Sequence, residues 1–229
     1  MNIVVTGASR GIGFQIVKQL LEKRVHHVFA VARSKKEMEL LRQYENDNMY
    51  EFLAYDLMQE NYNKLVSGIT DAFSGVDVLI NNAGLLINKP LTELSDNDFD
   101  NIFSANIKSV FKLVKGLLPY FSDKAHIVNI SSMGGYQGSA KFPGLSLYSA
   151  SKGALGVFTE CLAEELKDKN IRANALALGA VQTEMLSEAF PGYKAPVSAE
   201  EMAEFIIDFA LKAHHQINGK IIPVSLSTP

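Results

Sequence analysis

The chain has 229 residues, of which 47% are hydrophobic and 21% charged, and this composition excludes disordered, collagen-like and coiled-coil proteins. Its 22 basic and 25 acidic residues give a net charge of −3 without a long basic run, so we expect no nucleic-acid partner. Cys161 is the single cysteine and the five histidines lack the spacing of metal ligands, so we predict neither an intrachain disulfide nor a metal site.

Short β-branched runs alternate with longer amphipathic segments along the whole chain. Seven strands are predicted, at Ile3–Thr6, His27–Ala32, Tyr50–Tyr55, Val76–Asn81, His126–Ser131, Arg172–Leu178 and Lys220–Val224. Helices are predicted at Gly11–Lys23, Lys35–Glu45, Tyr62–Ser74, Asp96–Phe121, Ser149–Lys169 and Ala199–His214. This rhythm, with no linker or repeat, predicts one α/β domain over residues 1–229, built on a doubly wound parallel sheet with helices on both faces.

Cellular location is also indicated by the hydrophobic pattern. No stretch approaches the ~18 consecutive apolar residues that cross a bilayer, and no basic leader precedes the first apolar run. We therefore expect no membrane partner and a cytoplasmic location.

Two looser segments, 134–147 and 179–197, are rich in Gly, Pro, Ser and Ala. Both follow strands at their carboxyl ends, where open α/β sheets bind ligands, so we expect them to form the walls of a pocket. Met185, Leu186, Phe190 and Tyr193 are candidates for a substrate lid, although ordinary loop packing explains them nearly as well.

A glycine-rich turn, Thr6-Gly7-Ala8-Ser9-Arg10-Gly11-Ile12-Gly13, joins the first strand to the first helix. Glycines let the backbone approach a pyrophosphate, and the N-terminus of the helix presents free N–H groups to it. A tight turn without a ligand needs about one glycine. Three glycines in this context predict dinucleotide binding.

The residue that follows the second strand distinguishes the nicotinamide dinucleotides. An acidic residue there binds the ribose 2′-hydroxyl of NAD, whereas a nearby Arg accommodates the 2′-phosphate of NADP. The chain has Ala32-Arg33 at this place and Arg10 in the glycine turn, which favours NADP(H). The alternative is that both arginines are ordinary solvated charges, which leaves NAD(H) open.

Two more segments after strands are candidates for the nucleotide site. Asp56 can accept a hydrogen bond from the adenine amino group, or it can be a helix N-cap or turn aspartate. Asn82, Ala83 and Gly84 follow the fourth strand. They form either a simple turn or, as we favour, part of the nucleotide site.

Four side chains carry the catalytic hypothesis. Tyr148 and Lys152 are four residues apart at the start of a predicted helix, so they share a face, and a nearby ammonium lowers the pKa of a phenol. Ser132 ends the fifth strand, where its hydroxyl can hold a substrate oxygen. Asn106 lies inside a helical pattern that Asn disfavours. Each has an alternative without a catalytic role. Tyr148 and Lys152 can form a helix-surface contact, Ser132 can be a cap or turn residue, and Asn106 can mark a local kink or lie on the surface.

In these motifs the sequence resembles the short-chain dehydrogenase/reductase family, from Thr6 to about Thr183. The motifs occur in order: T-G-x-x-x-G-x-G with Gly7, Gly11 and Gly13, N-N-A-G at 81–84, Asn106, Ser132, and Tyr148-Ser149-Ala150-Ser151-Lys152. The resemblance implies a Rossmann-type sheet, a nicotinamide cofactor and a catalytic tetrad of Asn106, Ser132, Tyr148 and Lys152.

The resemblance also implies the role of each residue. Tyr148 exchanges a proton with the substrate oxygen while hydride moves, and Ser132 orients that oxygen. Lys152 binds the nicotinamide ribose and lowers the tyrosine pKa, and Asn106 supports a water-linked proton relay. The cofactor-binding residues are Gly7, Ser9, Arg10, Gly11, Ile12, Gly13, Arg33, Asp56, Leu57, Asn82, Ala83, Gly84, Tyr148, Lys152, Gly179, Val181 and Thr183.

The chain departs from the family pattern on the substrate side. Leu178 stands where family members usually have Pro, and the stretch from Ser132 to Tyr148 is a few residues longer than usual, which inserts Tyr136–Phe142 beside the pocket. The segment Val181–Val197 is short. We expect these differences to affect which substrate is accepted.

The function predicted from sequence is an NADP(H)-preferring oxidoreductase that interconverts a carbonyl and a secondary alcohol on a small or medium, largely apolar substrate. The alternatives are an NAD(H)-dependent alcohol dehydrogenase and a non-catalytic nucleotide-sensing protein on the same fold. Two predicted helices carry more apolar residues than one sheet face needs, and the family resemblance implies a homodimer or homotetramer assembled through them: Phe103, Val110, Phe111, Val157 and Phe158. Cys161, on an apolar helix face, is expected to pack as a small hydrophobic residue.

Overall fold

The computed structural model describes residues 1–45 and 49–226. The strands are β1 (Asn2–Thr6), β2 (His27–Ala32), β3 (Tyr50–Ala54), β4 (Val76–Asn81), β5 (Phe121–Ser132), β6 (Arg172–Leu178), β7 (Val181–Gln182), β8 (Val197–Ser198) and β9 (Ile221–Val224). The helices are α1 (Gly11–Glu22), α2 (Lys35–Leu40), α3 (Asn63–Ala72), α4 (Asp96–Phe103), α5 (Ser109–Leu117), α6 (Ser146–Glu165), α7 (Glu184–Ala189) and α8 (Ala199–Lys212).

Seven strands form one parallel sheet in the order β3-β2-β1-β4-β5-β6-β9. This confirms the predicted doubly wound α/β fold. The strand order reverses at β1, which pairs with β2 on one side and with β4 on the other. Ligands of open α/β sheets bind at the carboxyl ends of the strands beside such a reversal, which here lies just after Thr6 and Asn81.

The core has two layers, one on each face of the sheet. Successive residues of a strand point to opposite faces, so Ile3 and Val5 pack in one layer and Val4 in the other. All three are completely buried. The near-continuous apolar runs of the sequence follow from this double burial, because each strand must supply both layers.

The predicted helix Asp96–Phe121 is divided into several pieces. α4 begins with a capping box, in which Ser95 and Asp98 each accept a hydrogen bond from the other's backbone N–H. A π-helical turn over Ser104–Lys108 follows it, and α5 ends before Pro119, which disfavours helix in the residue preceding it. The predicted segment is therefore not continuous α-helix, and its irregular turn lies at Asn106, where the sequence left a local kink open.

Burial in this region differs from what the sequence predicted. Val110, counted there among the surplus apolar residues, is buried in the core. Asn106 lies within the π-helical turn and is buried, which excludes a surface position. Cys161 was also misplaced: it is exposed, because the buried stripe of α6 runs through Leu155, Thr159 and Leu162.

Several other boundaries differ from those predicted. β5 begins at Phe121 rather than at His126, and α6 begins at Ser146 rather than at Ser149, which places Tyr148 inside the helix. Segment 179–197 contains α7 and the short parallel pair β7 and β8. The hydroxyl of Thr183 caps α7 by accepting a hydrogen bond from the Leu186 N–H. No helix of the described residues is long and apolar enough to cross a membrane.

Candidate active site

The glycine turn after β1 forms a cradle that leaves no room for larger side chains. Gly7 has φ of +70°, and a Cβ atom there would lie 2.8 Å from the Cα atom of Ala83. A Cβ atom on Gly13 would overlap the carbonyl oxygen of Gly7. The backbone of the turn therefore packs closely on the N-terminus of α1, which leaves the N–H groups of that helix end facing outward.

Asn82 and Thr6 join the two strand ends beside this cradle. The Asn82 carboxamide donates hydrogen bonds to the carbonyl oxygens of Thr6 (3.1 Å) and Gly7 (3.3 Å). The Thr6 hydroxyl accepts from the backbone N–H groups of Asn82 and Ala83, both at 3.1 Å. Asn82 thus acts as a structural link that fixes the glycine turn, a role the sequence alone did not indicate.

A cavity of about 660 Å³ extends from this cradle across the carboxyl ends of the strands. Most of the residues predicted for the cofactor and for catalysis line it: Gly7, Ser9, Arg10, Gly11, Ile12, Arg33, Asp56, Leu57, Asn82, Ala83, Gly84, Ser132, Tyr148, Lys152, Gly179, Val181 and Thr183. Gly13 and Asn106 lie behind its wall. The rest of the lining is mainly apolar and aromatic and includes Leu85, Leu86, Phe142, Leu145, Met185, Leu186, Phe190 and Tyr193.

Tyr148 and Ser132 lie together in this wall, on α6 and at the end of β5. Burial raises the pKa of Tyr148, and a hydrogen-bonding interaction with the Ser132 side chain opposes this shift only in part. In the chain by itself the net shift of the Tyr148 pKa is upward, and the lowering by Lys152 that the resemblance implies stays a prediction. The phenol stays protonated at neutral pH, and in this form it can donate a proton.

Lys152 is almost fully buried one turn further along α6. Its Nζ atom lies 5.9 Å from the centre of the Tyr148 ring and donates a hydrogen bond to the Ile130 carbonyl oxygen at 2.7 Å. Burial lowers the pKa of Lys152 to about 8. The Ser131 hydroxyl donates to the Lys152 carbonyl oxygen at 2.8 Å, which ties α6 to β5.

Asn106 holds the loop after β4 against α6. Its Oδ1 atom accepts from the Leu85 N–H at 2.7 Å, and its Nδ2 atom donates to the Leu85 carbonyl oxygen at 3.0 Å and to the Ser151 hydroxyl at 2.9 Å. Ser151 in turn donates to the Tyr148 carbonyl oxygen at 2.8 Å. Sequence reasoning missed Ser151, whose only signal was its position directly before Lys152.

The charged residues predicted for the adenosine end differ in their surroundings. Arg33 is exposed, lines the cavity and makes no ion pair with residues 1–45 or 49–226. Arg10 donates from Nη1 to the Glu188 carboxylate on α7 at 3.0 Å. Asp56 lines the cavity and also accepts a hydrogen bond from the Met58 N–H at 2.9 Å, which is a turn interaction.

Metal chemistry was not predicted. Among residues 1–45 and 49–226, no group of three or more His, Cys, Asp or Glu side chains is arranged to hold a metal ion.

Comparison with known proteins gives the family. The family model described as short chain dehydrogenase matches residues 1–194. The chain belongs to the short-chain dehydrogenase/reductase family. It is an oxidoreductase, as the sequence motifs predicted.

Relatives of this short-chain dehydrogenase cover most of its length. The 3-oxoacyl-(acyl-carrier-protein) reductase FabG of Vibrio cholerae is 32% identical over 184 residues, which are 80% of this chain and 74% of that protein. An uncharacterised oxidoreductase of Staphylococcus epidermidis is 26% identical over 217 residues, or 94% of this chain and 92% of the relative.

Solved structures of the family superpose closely on this dehydrogenase. The 3-ketoacyl-(acyl-carrier-protein) reductase from Brucella melitensis, complexed with NADH, has a TM-score of 0.87 at 26% identity, over 98% of this chain and 96% of that chain. ElxO with NADP bound has a TM-score of 0.84 at 27% identity, again over 98% and 96%.

Proposed function

We propose that this dehydrogenase transfers a hydride between NADP(H) and a carbonyl or secondary alcohol of small or medium size and largely apolar character. The observation that carries the proposal is that one cavity contains both the glycine cradle and the candidate catalytic residues. One part of it has a glycine cradle, and its wall contains Ser132, Tyr148 and Lys152. Asn106 supports that wall from behind.

The cradle fits a dinucleotide. Its crowded glycines leave space only for backbone, and a pyrophosphate would lie against the N-terminus of α1. Arg33, free of ion pairs among the described residues, is available for a 2′-phosphate, and Ala32 supplies no carboxylate to compete. Lys152 would hold the nicotinamide ribose. When bound, the nicotinamide supplies or accepts the hydride.

The protein's own side chains would move the proton. In reduction Tyr148 donates its phenolic proton to the carbonyl oxygen, and its raised pKa keeps it in the protonated form that this step needs. The Ser132 hydroxyl donates a hydrogen bond to the same oxygen and so orients it. The apolar lining around Phe142, Leu145 and Phe190 excludes water and suits an uncharged substrate, since burying an unpaired charge there is costly.

NAD(H) is the second candidate cofactor, and one observation favours it. The Glu188 carboxylate already occupies Arg10, and its negative charge would oppose a 2′-phosphate at that position. The names of the similar structures include both NADH and NADP complexes. The choice between the two therefore depends on Arg33.

The first test combines nucleotide binding with turnover. Thermal unfolding with NADP⁺, NADPH, NAD⁺ and NADH in parallel should show stabilisation, about 2.7 kcal/mol at 100 times the dissociation constant, chiefly with the phosphorylated pair. Apolar ketones should then oxidise NADPH in its presence. No thermal shift with any nucleotide would contradict the cofactor assignment.

A substitution of Tyr148 tests its proposed catalytic role. Tyr148→Phe removes the proton donor and should lower kcat by roughly 10² to 10⁴-fold, while the thermal shift with NADPH is retained. Tyr120→Phe is the matched control, because Tyr120 is exposed and lies outside the cavity. Full activity of the Tyr148→Phe variant would favour a nucleotide-sensing protein instead of an enzyme that uses this tyrosine.

A further inference from the structure

The loop that follows β4 touches both segments that form the substrate side of the cavity. The Lys89 N–H donates a hydrogen bond to the Gly144 carbonyl oxygen at 3.1 Å, in segment 134–147. The Asn88 carboxamide donates from Nδ2 to the Ala189 carbonyl oxygen at 2.9 Å, in segment 179–197. Two adjacent residues therefore link two segments that are distant in sequence.

Asn88 also packs directly on the first segment. Gly144 has φ of +83°, and a Cβ atom there would overlap the Asn88 Oδ1 atom. Any side chain at position 144 would thus be strained by its backbone conformation and would push Asn88 away. The Asn88 side chain is in contact with Gly144 on one side and with Ala189 on the other.

The loop that carries Asn88 is fixed to the body of the protein. The Lys89 ammonium lies 3.0 Å and 2.9 Å from the two carboxylate oxygens of Asp98, in the first turn of α4. The backbone and hydroxyl of Ser95 also donate to Asp98, and these bonds together with Lys89 lower the Asp98 pKa to about 2. The carboxylate therefore remains ionised at physiological pH and holds Lys89 beside Asn88.

Both linked segments present apolar residues to the cavity directly beside their contacts with this loop. Gly144 precedes Leu145 and lies two residues after Phe142, and Ala189 is followed by Phe190. Phe142, Leu145 and Phe190 all line the cavity. The Asn88 side chain itself does not line it. A change at Asn88 would therefore move these walls without removing a group that a substrate or cofactor touches.

We propose that Asn88 is a positioning residue that holds the two segments together and so sets the width of the substrate end of the cavity. This rests on the proposed function, because it assumes that the apolar end receives the substrate. Without the side chain the walls separate more readily, and an apolar carbonyl compound is bound less tightly. The close contact between Gly7 and Gly13 in the glycine cradle involves neither segment.

Three variants and one control test the proposal. Asn88→Ala removes both contacts, and Asn88→Asp keeps the size but loses the N–H donor to Ala189. Gly144→Ala displaces Asn88. Gly138→Ala is the control: Gly138 lies in the same segment with φ of +82°, but no heavy atom of the described residues lies within 4 Å of its added Cβ atom, so it reports backbone strain alone.

The readouts are steady-state kinetics with NADPH and an apolar ketone, the thermal shift with NADPH, and amide hydrogen exchange. Asn88→Ala, Asn88→Asp and Gly144→Ala should raise KM for the ketone about tenfold with kcat little changed, as expected for lost uniform binding. They should also speed amide exchange in residues 183–193. The thermal shift with NADPH should be largely retained, because the contact between Gly7 and Gly13 involves neither segment.

Two results would overturn the proposal. One is a KM and an exchange rate in residues 183–193 that stay at wild-type values in Asn88→Ala. The other is a Gly138→Ala variant that accelerates exchange in residues 183–193 as much as Gly144→Ala does. If the wild type reduces no carbonyl compound at all, the proposed function fails, whereas the exchange data still decide whether Asn88 holds the two segments.

Discussion

At the scale of single residues, the catalytic end of the cavity is set by how each polar group is buried. Lys152 is withdrawn from water and bonded to the Ile130 carbonyl oxygen, and Tyr148 shares a hydrogen-bonding interaction with Ser132. Burial raises the pKa of Tyr148 and lowers the pKa of Lys152, because it penalises the charged form of each group. The proton donor Tyr148 and Lys152, whose pKa is about 8, thus lie on one face of α6.

In the proposed function, the choice between NADP(H) and NAD(H) depends on Arg33. We expect Arg33→Asp to weaken NADPH binding by roughly 10 to 100-fold, because a charge-assisted phosphate contact is replaced by charge repulsion. NADH binding should be unchanged or improved, since an acidic residue there can bind the ribose 2′-hydroxyl. Dissociation constants from fluorescence titration with both nucleotides measure the ratio.

Lys36→Asp is the control for this variant, since it makes the same charge change on a neighbouring exposed residue that does not line the cavity. An unchanged ratio of NADPH to NADH affinity in Arg33→Asp would remove Arg33 from the 2′-phosphate site.

At the scale of elements, the junction of β1 and α1 and the π-helical turn place the functional residues. The junction brings Gly7 and Gly13 into contact, and the turn directs Asn106 toward Leu85 and Ser151. π-Helical turns are rare and occur often at functional sites. Here the turn lets one buried asparagine fix the loop after β4 to α6.

Gly13 is the position in the glycine turn with the least space for a side chain. In Gly13→Ala the new methyl group would overlap the Gly7 carbonyl oxygen, so the glycine turn must shift. We expect the thermal shift with NADPH to be lost and the protein to be destabilised by about 1 to 3 kcal/mol from overpacking. Urea unfolding and nucleotide-dependent melting measure the two effects.

Gly68→Ala is the matched helical control, because a Cβ atom there would lie 3.5 Å from its nearest neighbour, an ordinary contact. It should be neutral or stabilising by up to about 1 kcal/mol. A Gly13→Ala variant that retains the full nucleotide shift would contradict the assignment of this turn to the pyrophosphate.

At the scale of the whole molecule, a buried histidine links stability to pH. His126 is fully buried at the amino-terminal part of the sheet, where its Nδ1 atom lies 2.8 Å from the Ala210 carbonyl oxygen and its Nε2 atom 3.0 Å from the Asn174 amide nitrogen. Because the carbonyl only accepts, Nδ1 carries the proton and Nε2 accepts from Asn174. Burial, reinforced by His214 and His215, lowers the pKa of His126 to about 4, although the bond to Ala210 opposes this.

Acid should therefore destabilise the fold. The unfolded chain takes up a proton at His126 near pH 6.5, whereas the folded chain does so only near pH 4, so stability falls as the pH drops through this window. The expected loss is about 3 kcal/mol, complete near pH 4. Urea unfolding across this range measures it.

Two variants test the role of His126. His126→Gln should reduce the dependence of the unfolding free energy on pH, and His27→Gln, at an exposed position, should not. An equal dependence on pH in both variants would refute the role of His126.

The outer surface of α5 and α6 bears on assembly. Phe111 and Val157 are 45% and 60% exposed, and the Phe111 ring makes an edge contact with Phe158. We expect this face to bury itself in a homodimer or homotetramer, because exposed apolar groups on adjacent helices favour association. Sedimentation at micromolar concentration should give a multiple of the chain mass, and Val157→Lys should lower it. A monomeric wild type would contradict the assembly.

The sequence by itself determined the fold class and most of the residues that line the cavity. Strands buried on both faces must be continuously apolar, and a cradle for phosphate must use glycine, so both leave a local pattern in the chain. The spacing of Tyr148 and Lys152 placed them on one helix face for the same reason, since a helical period is a local property.

Only the tertiary structure decided the features that depend on contacts between distant segments. The π-helical turn, the burial of Val110 and the exposure of Cys161 follow from how helices lie on the sheet, which periodicity read along one segment does not define. The direction of the Tyr148 pKa depends on burial, and the Arg10–Glu188 pair joins residues far apart in sequence. The Asn88 contacts with Gly144 and Ala189 are of the same kind: nothing local in Asn88 indicates them, because their partners meet only when the chain is folded.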